Sequence, residues 1–129
     1  MKVAIIAANG SMFDAYKVFN IATAAAATDA EVGIFFTFEG LNLIHKEAHK
    51  DLPLPAGKEH FQEGFQKANI PSIEELVSMA SEMGVKMIAC QMTMDVMSLE
   101  KEHFVEGIDV GGAVTFLTYA QDADVTLTF

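Results

Sequence analysis

Apolar residues in this chain come in short unbroken runs, separated by stretches in which they recur every third or fourth position. The runs read as buried strands and the spaced stretches as amphipathic helices. Lys2 to Ala8 is the first run, and Asn9-Gly10 ends it. Ser11-Met12-Phe13-Asp14 then has the form of a capping box, in which hydroxyl and carboxylate satisfy opposite amides at a helix start. Met12, Tyr16, Phe19, Thr23 and Ala26 form the expected inward stripe, and the helix is expected to stop near Thr28 to Ala30. Val32 to Phe38 is the second run, closed by Glu39-Gly40, where Gly40 suits a turn that needs positive φ. Strand, helix and strand so close together predict a βαβ unit and a parallel sheet.

Leu41 to Ile44 predicts a short helical turn, and after it the composition changes. From His45 to Pro71 the chain is charged, holds all three prolines and carries His45, His49 and His60. We read this as an insert at about 45–71 within one domain spanning 1–129, with Phe61 and Phe65 placed to dock a short helix. Order returns at a second capping box, Ser72-Ile73-Glu74-Glu75. Ile73, Leu76, Val77 and Ala80 make its stripe, and Gly84 suits the C′ position. Val85 to Ala89 is the third strand, followed by a short helix or turn from Gln91 to Ser98. Ile108 to Val110 reads as a brief strand, Gly111-Gly112 opens a helix with Val114, Leu117 and Ala120 facing inward, and Val125 to Phe129 is the last strand. The sum is an α/β protein: a three-layer α/β/α sandwich around a mostly parallel sheet of four to five strands. Ligands in such folds bind outside the carboxyl ends of the strands, here Ala7 to Asn9, Phe38 to Gly40, Cys90 and the end of the brief strand at Val110.

Charge and composition narrow the function. The chain has 129 residues, a formal charge of −10, eight lysines or arginines in total and one cysteine. All eight are lysines, and they form no cluster, so nucleic acid has no basic surface to bind. The absence of arginine also removes the usual bidentate clamp for phosphate or carboxylate. One cysteine excludes an intrachain disulfide and a multi-cysteine zinc site, and fits a reducing compartment. Met1 to Ala8 begins like a signal peptide, but Asn9-Gly10-Ser11 interrupts it, and no apolar run reaches the ~18 residues of a membrane span. The expectation is a soluble cytoplasmic protein.

Cys90 is the foremost candidate for chemistry, because it ends an apolar strand and precedes a segment that can turn helical. A helix amino terminus turns amides toward such a sulfur and stabilises the thiolate. A buried structural cysteine is the other reading of the same position. Gln91, Met92 and Thr93 supply no base, which argues against a Cys–His hydrolase. Met92, Met94 and Met97 with Cys90 could ligate a soft metal, or could simply pack flexibly around a crevice. The histidines of 45–71, with Glu47, Asp51 and Glu59, lack an HExxH pattern and read as a solvated loop, so no metal is expected. Asn9-Gly10-Ser11 stands where an anion cradle would, without a phosphate-loop motif, and reads more simply as a capped turn.

Three stretches carry a family likeness: Met1 to Ala27, Gly33 to Leu41, and Ala89-Cys90-Gln91-Met92-Thr93-Met94-Asp95-Val96-Met97 continued by Gly111-Gly112-Ala113. With these the chain resembles the DsrE/DsrF/DsrH-like sulfur-handling family, in the DsrE-like branch sometimes labelled peroxiredoxin family. The resemblance spans nearly the whole chain, and the charged insert matches least. It implies a five-stranded parallel sheet, a homo-oligomer, and a persulfide on Cys90 exchanged with another sulfur carrier of TusA- or rhodanese-like kind. Peroxidase chemistry is not implied, since a Thr-x-x-Cys pocket with an arginine is missing. The expectation is a sulfur carrier or sulfurtransferase-like protein without cofactor. Its Cys90 is the reactive group, and Asn9, Gly10, Phe38, Gly40, Gln91, Met92 and Thr93 wall the pocket. Two other readings stay open: a small-ligand or soft-metal binding module, and an oligomer in which Cys90 is inert.

Overall fold

The structure is a computed structural model and describes all 129 residues. Five strands form one sheet in the order β4-β3-β2-β1-β5. They are β1 (Lys2–Ala7), β2 (Glu31–Phe36), β3 (Lys86–Cys90), β4 (Asp109–Gly111) and β5 (Val125–Thr128). Every neighbouring pair is parallel. The registers Ala7↔Phe36, Phe36↔Ala89 and Cys90↔Gly111 bring the carboxyl ends of four strands to one edge.

The helices are α1 (Met12–Ala27), α2 (Phe61–Lys67), α3 (Ile73–Glu82), α4 (Gln91–Val96) and α5 (Ala113–Ala120). Both expected capping boxes form: Ser11 pairs with Asp14 and Ser72 with Glu75, each in both directions. Those motifs need only residues within one turn, so local sequence suffices to place them. Helices α1 and α3 cover one sheet face over the larger core, where Phe19, Phe36, Ile5 and Ile34 are fully buried. The other face carries a much smaller cluster of Ala4, Phe35, Ile88, Cys90 and Phe116 under α5.

Three expectations are corrected, two about facing residues and one about a backbone angle. In α1 the fully enclosed side chains are Ala15, Val18, Phe19, Ala22 and Thr23. Met12, Tyr16 and Ala26 sit at the flank, half-buried. In α5 the inward residue is Phe116, whose ring stacks on Phe35 at 5.4 Å between centroids. Val114 and Leu117 point outward, 77% and 63% exposed. That helix is apolar nearly all round, so periodicity alone could not choose its buried face, and contact with the sheet decides it. Finally, Gly40 does not have positive φ; Phe38 does, at 50°. What makes glycine necessary at 40 is a close approach: a Cβ there would lie 1.9 Å from the Ala7 carbonyl oxygen.

The 45–71 segment packs onto α1. Phe65 stacks on Tyr16 at 4.5 Å and Phe61 meets Phe13 edge-on at 4.9 Å. The Met12 amide donates to the Pro53 carbonyl at 2.8 Å, and the Tyr16 hydroxyl to the Pro71 carbonyl at 3.0 Å. Phe61 and Phe65 therefore do dock a helix, as their four-residue spacing predicts. No helix is long and apolar enough to cross a membrane.

Candidate functional site

The strand β3 passes into α4 with no intervening residue, and Cys90 is at once the last strand residue and the helix N-cap. Its backbone is extended, with φ −68° and ψ 115°, as a capping residue requires. Met92 and Thr93 are then the second and third helical residues, whose amides have no partner inside the helix. The Cys90 side chain makes no capping hydrogen bond, but four donor groups stand near enough to the sulfur to act on its acidity.

Those donors set the acidity of the sulfur. Burial pushes the Cys90 thiol up, and the residue is only 5% exposed. Against burial act the Thr93 hydroxyl and amide, the Thr37 hydroxyl and the Met92 amide. Together they outweigh it and hold the thiol below its ordinary value. The two hydroxyls are themselves linked: Thr37 Oγ1 lies 3.3 Å from Thr93 Oγ1, and the Phe38 amide donates to Thr93 Oγ1 at 3.1 Å. Thr93 is 2% exposed, so this small polar knot is shielded from water.

The ends of β1 and β2 close around it. The Thr37 amide donates to the Ala7 carbonyl at 3.0 Å, and the Gly40 amide to the Thr37 carbonyl at 2.9 Å. Gly10 lies against Glu39, where a Cβ would come 2.6 Å from the carbonyl oxygen. The result is an open groove of about 310 Å³ at the carboxyl edge of the sheet, lined by Asn9, Phe38, Glu39, Thr93, Val96 and Met97 among others.

The structure thus gathers Asn9, Phe38 and Thr93 on one groove and puts Gly10 and Gly40 in its backbone frame. Cys90 lies behind the wall, against Thr93, and is not a lining residue. Gln91 and Met92 are exposed on α4 and do not line the groove: the Gln91 amide donates to Asp95 at 2.9 Å, and Met92 contributes its backbone amide alone. Thr37 is the residue that sequence reasoning missed. A threonine inside an apolar run looks like ordinary strand chemistry, and only the adjacency of β2 and β3 brings it to the sulfur. The methionines do not gather as a soft-metal site would need: Met94 is in the larger core, while Met92 and Met97 are exposed. No group of three or more His, Cys, Asp or Glu side chains is placed to hold a metal ion.

Comparison with known proteins accounts for this architecture. The model of the DsrE/DsrF/DrsH-like family matches residues 1–61 and 52–128. The chain belongs to that family. The two matches overlap at residues 52–61, inside the 45–71 segment. Among family relatives, the sulfur carrier protein DsrE2 of Allochromatium vinosum is 34% identical over 153 aligned positions, covering 98% of this chain and 96% of the relative. YrkE of Bacillus subtilis is 30% identical, covering 98% of this chain and 95% of that protein. Two solved structures share the fold at low identity. MTH1491 of Methanobacterium thermoautotrophicum superposes with a TM-score of 0.69 at 14% identity, over 98% of this chain and 97% of that one. The ychN protein of E. coli gives 0.63 at 16%, over 100% and 99%.

Proposed function

We propose that this chain carries sulfane sulfur as a persulfide on Cys90 and hands it to a partner thiol. The observation that chiefly supports the reading is the donor set around one sulfur: two amides at a helix start and two threonine hydroxyls, enough to overturn the effect of burial. In the first step the Cys90 thiolate attacks the outer sulfur of a donor persulfide. A bond forms between Cys90 Sγ and that sulfur, the donor's S–S bond breaks, and the donor leaves as a thiolate with the electron pair. In the second step a partner thiolate attacks the outer sulfur of Cys90–S–S⁻, and Cys90 departs as the thiolate. Neither step changes the total oxidation state, so the cycle calls for no cofactor.

Each residue has a part in this reading. The Met92 and Thr93 amides and the Thr93 and Thr37 hydroxyls stabilise the anion before and after transfer. Asn9 and Phe38 wall the approach, and Gly10 and Gly40 let two backbones come close enough to form the groove. Gln91 braces the first turn of α4 through Asp95. The partner is another sulfur-carrier protein of TusA- or rhodanese-like kind, in a reducing cytoplasm where a lone thiol stays free. A homo-oligomer is part of the same reading, since α5 leaves Val114 and Leu117 uncovered.

Incubation with inorganic polysulfide followed by intact mass measurement tests the proposal. The expected product gains the mass of added sulfur, loses it on reduction, and does not form on Cys90→Ser. A wild-type protein that gains no sulfur, or a serine variant that gains as much, removes the reading.

A further inference from the structure

The mouth of the groove is apolar and acidic at once. Phe38 and Met92 are each 58% exposed, Val96 is 77% exposed and Met97 39%. Three of these four line the groove, and the fourth is on the same short helix. Exposed apolar side chains gathered in this way mark contact surfaces. The segments that build the edge, 8–10, 37–41 and 90–99, contain two charged residues, Glu39 and Asp95, and no lysine. Phe38 is held outward by a left-handed backbone, φ 50°, that the hydrogen bond from its amide to Thr93 Oγ1 secures. A bulky residue in that conformation is costly and persists where the surroundings over-determine it.

We infer that this edge is a docking surface for a protein that presents an apolar tip ringed by lysine or arginine, and that the tip seats against Phe38, Val96 and Met97. The inference rests on the carrier reading of Cys90 and gives its partner a surface chemistry. Charge decides between occupants. A second copy meeting this patch across a two-fold axis would set Glu39 and Asp95 against the same carboxylates of the other chain, on molecules that each carry −10. A basic rim instead gains from both carboxylates and from the long-range field of the whole chain. A second exposed apolar pair among several exposed apolar residues, Val114 and Leu117 on α5, is not part of this edge; Val114 lines a separate groove with Lys86.

Fluorescence anisotropy with three dye-labelled peptides tests the surface without any sulfur chemistry. One has an apolar centre flanked by lysines, with serine where an acceptor cysteine would stand. The second replaces its lysines by glutamates, and the third replaces its apolar centre by glycine and serine. The first is expected to bind at least about tenfold tighter than the second at low salt, and the gap to shrink several-fold in about 0.5 M salt. Glu39→Lys with Asp95→Lys should cost the first peptide most of that advantage. Phe38→Asn with Val96→Ser should bring it down to the level of the third, since asparagine tolerates the left-handed backbone while removing the ring. Equal binding of the three peptides, no saturable binding, or binding indifferent to both double variants overturns the inference. So does sedimentation showing a dimer that Val96→Ser dissolves, because the occupant is then a second copy. A protein that prefers the first peptide but takes no sulfur refutes the carrier reading alone; one that loads sulfur and shows no preference refutes the surface alone.

Discussion

The backbone amide of Phe38 donates to the hydroxyl oxygen of Thr93 across 3.1 Å. This bond joins the end of one strand to the first turn of the helix after another, and it has a directional consequence. With its oxygen already accepting from Phe38, Thr93 keeps its hydrogen free to point at Cys90 or at Thr37. One residue thereby holds the groove wall and feeds the sulfur.

Replacing Thr93 by valine removes both contacts at nearly constant shape. The Phe38 amide loses its acceptor and the sulfur a hydroxyl donor. We expect a stability loss of about 1–3 kcal/mol by urea unfolding. We also expect the pH midpoint of Cys90 alkylation to move upward, so that labelling at neutral pH slows. Thr93→Ser should restore most of both. An unchanged midpoint in the valine variant would show that the two amides and the Thr37 hydroxyl set the acidity without the Thr93 hydroxyl.

Two glycine-to-alanine changes should move stability in opposite directions. At Gly40 the added carbon meets the Ala7 carbonyl at 1.9 Å, backbone against backbone, with nothing flexible to yield. A loss of about 3 kcal/mol or more is expected, near the upper end for single substitutions. Gly64 is inside α2 with open space where its Cβ would go. There alanine should gain about 0.5–1 kcal/mol from helix propensity. Paired thermal melts check the contrast.

Tyr119 buries a hydroxyl that has no hydrogen-bond partner. Burial first, and then the nearby Glu31 carboxylate, push its pKa far above the ordinary tyrosine value. Since the hydroxyl is dehydrated without compensation, Tyr119→Phe is expected to stabilise the protein by about 1 kcal/mol. The ring, which packs over Gly33 and under the Lys2 ammonium at 4.2 Å, is retained. Spectrophotometric titration should show one of the two tyrosines resisting ionisation in the wild type and missing in the variant.

His45 should make the protein acid-sensitive. Its Nδ1 accepts from the amides of Glu47 at 3.1 Å and Ala48 at 3.2 Å, which only the unprotonated nitrogen can do. Burial lowers its pKa, and the stacked His103 and nearby His49 add to this, while Glu47 opposes it. The folded value therefore lies below 6.5, the unfolded one. Above 6.5 both states are neutral at this ring and its contribution is intact. As pH falls below that value, the unfolded chain takes up a proton that the folded chain resists, and stability declines until the folded value is passed. His45→Asn keeps an acceptor near the same place without titrating. Urea unfolding at a series of pH values should show a shallower acid decline in that variant.

Local motifs were readable because their partners are close in sequence. The capping boxes at Ser11 and Ser72 need one turn of chain, and the Phe61–Phe65 spacing defines a helix face by itself. Features set by distant partners were read less well. Gly40 was expected to serve a turn, because sequence cannot reveal that Ala7 passes beside it. The inward face of α5 was misassigned because Phe35, which selects Phe116, is far away in the chain.

Sequence alone determined the strand and helix alternation, the parallel α/β class and the place of Cys90 at a strand end, because each follows from patterns a few residues long. The tertiary structure alone decided that Thr37 stands with Thr93 at that sulfur, and that Phe38 takes the left-handed backbone at the groove mouth. The reason is physical: both depend on β1, β2 and β3 ending at one edge, and strand pairing joins residues that the chain itself holds far apart.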